Sequence, residues 1–364
     1  YRQPIFIILA VVTGLFSLFN LIFFRDPQRT IPDNPNAILS PADGKIIQIA
    51  EVEENEFFKT RVKRISIFLS VFNVHVNRSP ISGKVEHFEY RPGAFLPAFK
   101  EDEKSTIKVR QLLHHSSGLT DYRPYYKEIG HLPIEKRKQA LRKLLVIEPL
   151  IHPIGTKVVY SDLGFMILEW IVEQISGKRL DRFVSDMIYG PLGLDRLFFV
   201  DLNTKKPQGV FAATEKCPWR KILLSGQVHD ENAYVVGGVQ GHAGLFGTAA
   251  AVHLLTSELL SAYQGTHPTR LFQTEMVRLF FKRRPNTDKA LGFDAPALKN
   301  SSAGSYFSAN SVGHLGFTGT SFWMDLDRFI TVIMLTNRVH PSRDNEAIKH
   351  FRPILHDEVM VSLL

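Results

Sequence analysis

From Gln3 to Phe24 the chain carries no charged side chain, while Ile5, Phe6, Ile7, Ile8, Leu9, Val11, Val12, Leu15, Phe16, Leu18, Phe19, Leu21, Ile22, Phe23 and Phe24 fill the run. About 20 apolar residues rising ~1.5 Å each cross a ~30 Å hydrocarbon core. A secretory signal has a shorter apolar region, ~7–15 residues, and ends at a small-residue cleavage site. Here the run ends instead in Phe23-Phe24-Arg25-Asp26-Pro27. A buried core helix would show a polar face, and this stretch offers only Gln3, Thr13, Ser17 and Asn20. Residues 1–25 are therefore expected to span a membrane, as a single pass or as one arm of a hairpin. That makes the lipid bilayer a partner and the membrane the location. Arg25 and Arg29 follow the run while only Arg2 precedes it, which places the downstream chain on the cytoplasmic side. Because the first residue is Tyr1, the chain is expected to begin inside a longer reading frame.

The remainder reads differently. The whole chain, with 364 residues, 44% hydrophobic and 22% charged, calls for two or three globular domains. A mean hydropathy of -0.05 excludes a polytopic membrane protein. The single cysteine, Cys217, excludes an intramolecular disulfide framework and any cysteine-based zinc cluster. No His-Glu-x-x-His or comparable ligand spacing occurs, so no dedicated metal site is expected. The net charge of +8 is spread without a basic block, which suits an anionic membrane surface and gives no footprint for nucleic acid.

Strand-like stretches are expected at Ala37–Ile49, Arg64–Val71 and Lys84–Tyr90, separated by Pro41, Gly44, Pro80 and Gly83. Residues 26–95 thus read as a small β-rich unit. Three strings occur in order: Phe24-Arg25-Asp26-Pro27, Ser40-Pro41-Ala42-Asp43-Gly44, and Asn73-Val74-His75-Val76-Asn77-Arg78-Ser79-Pro80. Over about residues 4–95 this set resembles the N-terminal part of the short, membrane-associated phosphatidylserine decarboxylases. The resemblance implies a phospholipid substrate and a pyruvoyl group made from the enzyme's own serine. It also implies that Asp43 and His75 form the acid/base pair activating that serine. The family's serine lies in a downstream Gly-Ser-Thr motif, which this chain lacks; Gly304-Ser305 is followed by Tyr306. A pyruvoyl group is expected only in a complete decarboxylase, so no cofactor is expected here.

From about Leu96 the pattern changes. Leu112-Leu113-His114-His115-Ser116-Ser117-Gly118-Leu119 joins an apolar turn to a Ser/Gly loop, and helical periodicity follows at Ile134–Ile147 and Ser161–Ser176. Further on come Tyr160-Ser161-Asp162, a glycine-dense stretch with Gly241-His242-Ala243-Gly244-Leu245, and His314-Leu315-Gly316-Phe317-Thr318-Gly319 before strand-like runs at Ser321–Asp325 and Phe329–Leu335. Residues 96–364 resemble the serine beta-lactamase and penicillin-binding-protein superfamily in its class-C-like branch. The resemblance implies an α/β (α+β) fold, with an antiparallel sheet backed by helices, a helical lobe, and an active site between them. It also implies acyl transfer through a serine on a small-molecule amide, ester or beta-lactam. Tyr160 matches the motif tyrosine that serves as general base or proton shuttle. Asp162 stands at the third motif position, where Asn is usual. His314 matches the first position of the Lys/His-x-Gly strand motif, which lines the pocket and holds the substrate carboxylate, with a backbone N–H beside it for an oxyanion.

This family uses Ser-x-x-Lys, several tens of residues before the Leu-Leu-His-His string. The one match, Ser105-Thr106-Ile107-Lys108, lies immediately before that string and has β-branched residues at its centre. Ser105 is the sole candidate by spacing, and the nucleophile stays unassigned. The two patterns meet near residues 91–100 without a Gly/Ser or Pro-rich linker, so the chain reads as a join of two gene fragments, each missing its serine-bearing part. Three readings stay open: a membrane-tethered serine hydrolase impaired by the loss, a truncated decarboxylase, and an inert fusion or binding remnant. In each, strands missing from either part would leave open sheet edges.

Overall fold

The computed structural model describes residues 103–204, 209–266 and 269–364, together with 23–34, 37–54, 58–70, 76–84 and a few isolated positions up to 74. Most of the expected membrane segment, His75, and the junction at 91–100 lie outside the described residues. No helix among the described residues is long and apolar enough to cross a membrane. The chain divides into two compact units, Tyr1–Glu101 and Asp102–Leu364.

In the first unit, strand β1 (Lys45–Glu54) pairs antiparallel with β2 (Thr60–Phe68), running from Lys45↔Phe68 to Glu54↔Thr60 with an irregularity after Ile46. The strand expected to begin at Ala37 begins eight residues later. Pro41 has no N–H to donate to a ladder, and Ser40–Gly44 bends back on itself, with the Ser40 hydroxyl donating to the Ala42 carbonyl at 2.7 Å. Ile46, Ile47, Ile49 and Ile65 stay exposed on this hairpin, and Ala42 and Val74, outside it, are the buried apolar residues of the first unit among those described.

The second unit contains helices α1 (Val109–Leu113), α2 (Tyr125–Ile129), α3 (Ile134–Ile147), α4 (Asp162–Ser176), α5 (Leu180–Val184), α6 (Glu231–Val235), α7 (Ala249–Gln264), α8 (Thr274–Phe281) and α9 (Ile348–Leu363). Its strands are β3 (Leu197–Phe199), β4 (Lys216–Cys217), β5 (Ile222–Leu223), β6 (Leu245–Gly247), β7 (Ser311–Leu315), β8 (Ser321–Asp325) and β9 (Ile330–Met334). Short antiparallel pairs β3–β6 and β4–β5 lie apart from the main sheet, β7–β8–β9.

The helical lobe forms because apolar residues recur at helical spacing. Leu141 and Leu145 on α3 meet Leu163 and Met166 on α4, with Leu112, Tyr125, Ile129 and Val235 closing one cluster. Ser161 caps α4, its hydroxyl accepting the Gly164 N–H at 3.3 Å and donating to the Thr120 carbonyl at 2.6 Å. Gly177, with φ of 67°, ends the helix in the left-handed conformation.

The sheet is covered on both faces, as strand alternation requires. Met324 and Val312 face Leu260, Val277 and Phe281 of α7 and α8. Trp323 and Val332 face the other way, onto Phe307 and Met360 of α9. The outer edge of β7 is engaged by Asp294, whose N–H donates to the Gly313 carbonyl at 2.8 Å and whose carbonyl accepts from Gly313 at 2.9 Å. β9 is paired on one side only among the described residues. An ionic clamp fixes the loop after β9: Arg343 donates to Glu215 at 2.7 and 2.6 Å and to Glu231 at 2.6 Å, and His229 also pairs with Glu215 at 2.9 Å.

Candidate active site

A cavity of about 220 Å³ opens where the helical lobe meets the sheet, lined by Tyr160, Asp162, Phe165, Gly241, His242, Gly292, His314 and Phe322. The elements behind it explain why these residues meet. Tyr160 and Asp162 flank the cap of α4, and Phe165 lies one turn further on. His314 and Phe322 face each other across the β7–β8 register, so both side chains leave the same face of the sheet. His242 arrives on the glycine-dense loop. A Cβ at Gly241 would collide with the Phe165 carbonyl oxygen, so only glycine lets that loop lie directly on α4.

His115 lies behind the lining and supports the cavity floor through Tyr160 and Phe165. Its ring stacks on Phe165 at 5.1 Å and lies 4.4 Å from the Tyr160 ring. The Ser161 N–H donates to its Nδ1 at 2.9 Å, which leaves the proton on Nε2. Burial, reinforced by Lys289 and the neighbouring histidines, pushes its pKa down to about 3, so this imidazole is neutral at physiological pH. Tyr160 lies 6.2 Å from the His314 ring, with the Lys289 ammonium 5.8 Å from its ring centre. Desolvation, together with the Asp162 and Asp294 carboxylates, raises the Tyr160 phenol well above its usual value. The phenol is thus a proton donor at neutral pH and not a ready phenolate base.

The cavity's third element is an acid–imidazole cluster. Asp162, Asp230 and His242 each offer a ligand-type atom, all within 4.8 Å of one another. His242 Nε2 lies 3.0 Å from Asp230 Oδ1. Burial opposes a charge on His242, but the Asp230 carboxylate outweighs it and raises the imidazole above its ordinary 6.5. Burial likewise opposes charge on Asp230, and the His242 imidazolium with the Ala233 N–H at 2.7 Å outweighs it and lowers the carboxyl. Asp162 shifts the other way: burial first, then the like charges of Asp230 and Asp121, raise it against the pull of His242. A second cluster, Glu215, Cys217 and Glu231, is occupied by Arg343.

Of the residues expected from sequence, Tyr160, Asp162 and His314 come together in this cavity. Ser105 does not join them: it is exposed on the 3-10 turn Glu103–Thr106. Ser161 is tied up as the helix cap, and no serine or cysteine lines the cavity among the described residues. Asp43 lies in the first unit, its carboxylate held by Arg29 at 2.6 Å, and its proposed partner His75 is outside the described residues. His115, Asp230 and His242 received no chemical role from sequence. Their strings were visible, but Asp162 and His242 are 80 positions apart and no local spacing joins them.

A family model described as Beta-lactamase matches residues 79–353, starting inside the stretch that the sequence reading gave to the β-rich unit. A protein of Escherichia coli strain K12, named provisionally as a D-alanyl-D-alanine carboxypeptidase, is 34% identical over 278 residues. That match covers 70% of this chain and 63% of the relative. An N-acetylmuramyl-L-alanine amidase of Bacillus subtilis strain 168 is 32% identical over 292 residues, covering 74% of this chain and 65% of the amidase. This chain therefore spans less than two thirds of the length of either relative. A solved beta-lactamase structure from Mycobacterium bovis aligns at 18% identity with a TM-score of 0.47, covering 70% of this chain and 73% of that one.

Proposed function

The chain belongs to the beta-lactamase family of cofactor-independent serine hydrolases, and from that premise we propose that its second unit binds an acylated, alanine-containing peptide at the amide bond this family attacks. The observation that carries the reading is the convergence of Tyr160, Asp162 and His314 on one cavity from separate parts of the sequence. The names of the two relatives share an amide to alanine, which favours a peptide over an ester or a beta-lactam. In this reading the Tyr160 hydroxyl donates a hydrogen bond to the bound peptide and His314 receives its carboxylate end.

Acyl-enzyme formation needs a nucleophile, and Ser105 is poorly placed to supply it. We therefore propose a chain that binds the peptide without turning it over efficiently. The apolar run from Gln3 to Phe24 supports attachment to a bilayer. Nothing in the Asp43 region favours the decarboxylase alternative, because Arg29 already occupies that carboxylate.

The test combines binding and labelling on the full chain in detergent. Calorimetry with diacetyl-L-lysyl-D-alanyl-D-alanine should show binding that weakens at least about tenfold in His314→Ala. A fluorophosphonate probe should leave the protein unlabelled. Absence of peptide binding would overturn the substrate reading, and stoichiometric labelling at any serine would overturn the loss of turnover.

A further inference from the structure

Asp162 lines the cavity from the first residue of α4, and its carboxylate forms no hydrogen bond or ion pair with any described residue. A carboxylate at a helix start is often only a dipole partner, but that role is met equally well in solvent and requires no burial against a cavity. The cations nearby are already matched. His242 is paired with Asp230, and Lys289, beside the Tyr160 ring, is paired with Asp294. Asp162 is therefore the unmatched charge of its cluster.

The rest of the lining suits one partner chemistry. Tyr160, Phe165 and Phe322 bring three aromatic rings to the same cavity as the carboxylate. Ring faces attract a cation through their quadrupole, and an anion beside them supplies the counter-charge. Asp230 and Asp121 add like charge around Asp162, so an entering cation relieves repulsion as well as forming a pair.

We propose that Asp162 and the three rings form an ammonium subsite, which makes the cavity selective for substrates carrying a free amine close to the amide they present. This deepens the peptide-binding reading above and rests on it for the word substrate. The subsite itself is defined by the cavity alone.

The experiment therefore uses two kinds of probe on the full chain. The first is n-butylammonium against 1-butanol, followed through the His242 ring resonances in the NMR spectrum. The amine should bind about tenfold more tightly than the alcohol, and Asp162→Asn should reduce that advantage to about twofold or less. An amine no tighter than the alcohol overturns the subsite, as does a preference that survives in Asp162→Asn. A His242 response to zinc chloride without any response to the amine would also overturn it, in favour of a metal site. The second probe pair is L-alanyl-D-alanyl-D-alanine with its terminal amine free or acetylated. If butylammonium binds and neither peptide does, the substrate reading falls and the subsite stands. If both peptides bind equally while butylammonium gains nothing over butanol, the substrate reading stands and the subsite falls.

Discussion

The two units handle similar side chains in opposite ways. The β1–β2 hairpin leaves Ile49 59% exposed and Ile65 54% exposed, and its ion pair Arg61–Glu51 sits in solvent. In the second unit Leu163 is fully buried, Trp323 is 1% exposed, and the pair His242–Asp230 lies inside the fold. A β-branched strand and a salt bridge are thus not stabilising by nature. The strand becomes so when another layer covers it, because apolar burial draws its strength from the exclusion of water. A buried pair, stripped of hydration on both charges, chiefly makes the loss of one partner costly.

That contrast can be broken by mutation. Trp323→Ala should cost the second unit about 3–5 kcal/mol in urea unfolding, since it empties the space between Phe307, Val332 and Met360. Ile49→Ala, an exposed apolar residue on the hairpin, should change stability by no more than ~0.5 kcal/mol. A cost near that of Trp323 would show that the hairpin has a core covered by residues outside those described.

Next in size is Asp230→Asn, expected to cost about 3 kcal/mol by leaving a buried imidazole without its counter-charge. The pH dependence sharpens this. His242 titrates above 6.5 in the folded chain, so its stabilisation is complete below that value and fades as pH rises through the raised pKa. Asp230 titrates below 3.8, so its stabilisation is complete above that value and fades as pH falls through the lowered pKa. Between those limits this pair contributes a constant amount, while His115, held near 3 in the fold, makes stability fall as pH drops below 6.5. In Asp230→Asn, burial dominates His242, its NMR titration should drop below 6.5, and stability should fall more steeply on acidification than in the parent. The Arg29–Asp43 pair, fully exposed, should give no resolvable change in Tm when Asp43 becomes Asn.

The smallest measurable effect belongs to Ser161→Ala, about 1 kcal/mol for the lost cap of α4. The same change should leave the His115 titration near 3, because the backbone N–H at Ser161 and the burial of the ring both persist. A His115 titrating near neutrality would mean that the cap also holds the cavity floor.

Much of the second unit was legible from its sequence. The periodicity at Ile134–Ile147 and at Ser161–Ser176 marks α3 and α4, and two runs after Thr320 mark β8 and β9, because in each case the signal lies within one element. The hairpin was read less well: its first strand starts at Lys45, since a proline and a bend override the apolar pattern that begins at Ala37. Tyr160, Asp162 and His314 were found through motif resemblance. Asp230 and His242 were not, because what brings them beside Asp162 is a distance across the fold, and neither sits at a spacing that announces a partner.

Gly241 shows a different kind of information in the chain. Its contribution is the absence of atoms, and no contact, charge or titration curve would reveal it. In a saturation-mutagenesis library this position should be as intolerant as His242 itself, with alanine already failing. A genetic map of sensitivity would then point to an invisible residue: the thickness of one backbone, without which the imidazole stops short of the cavity.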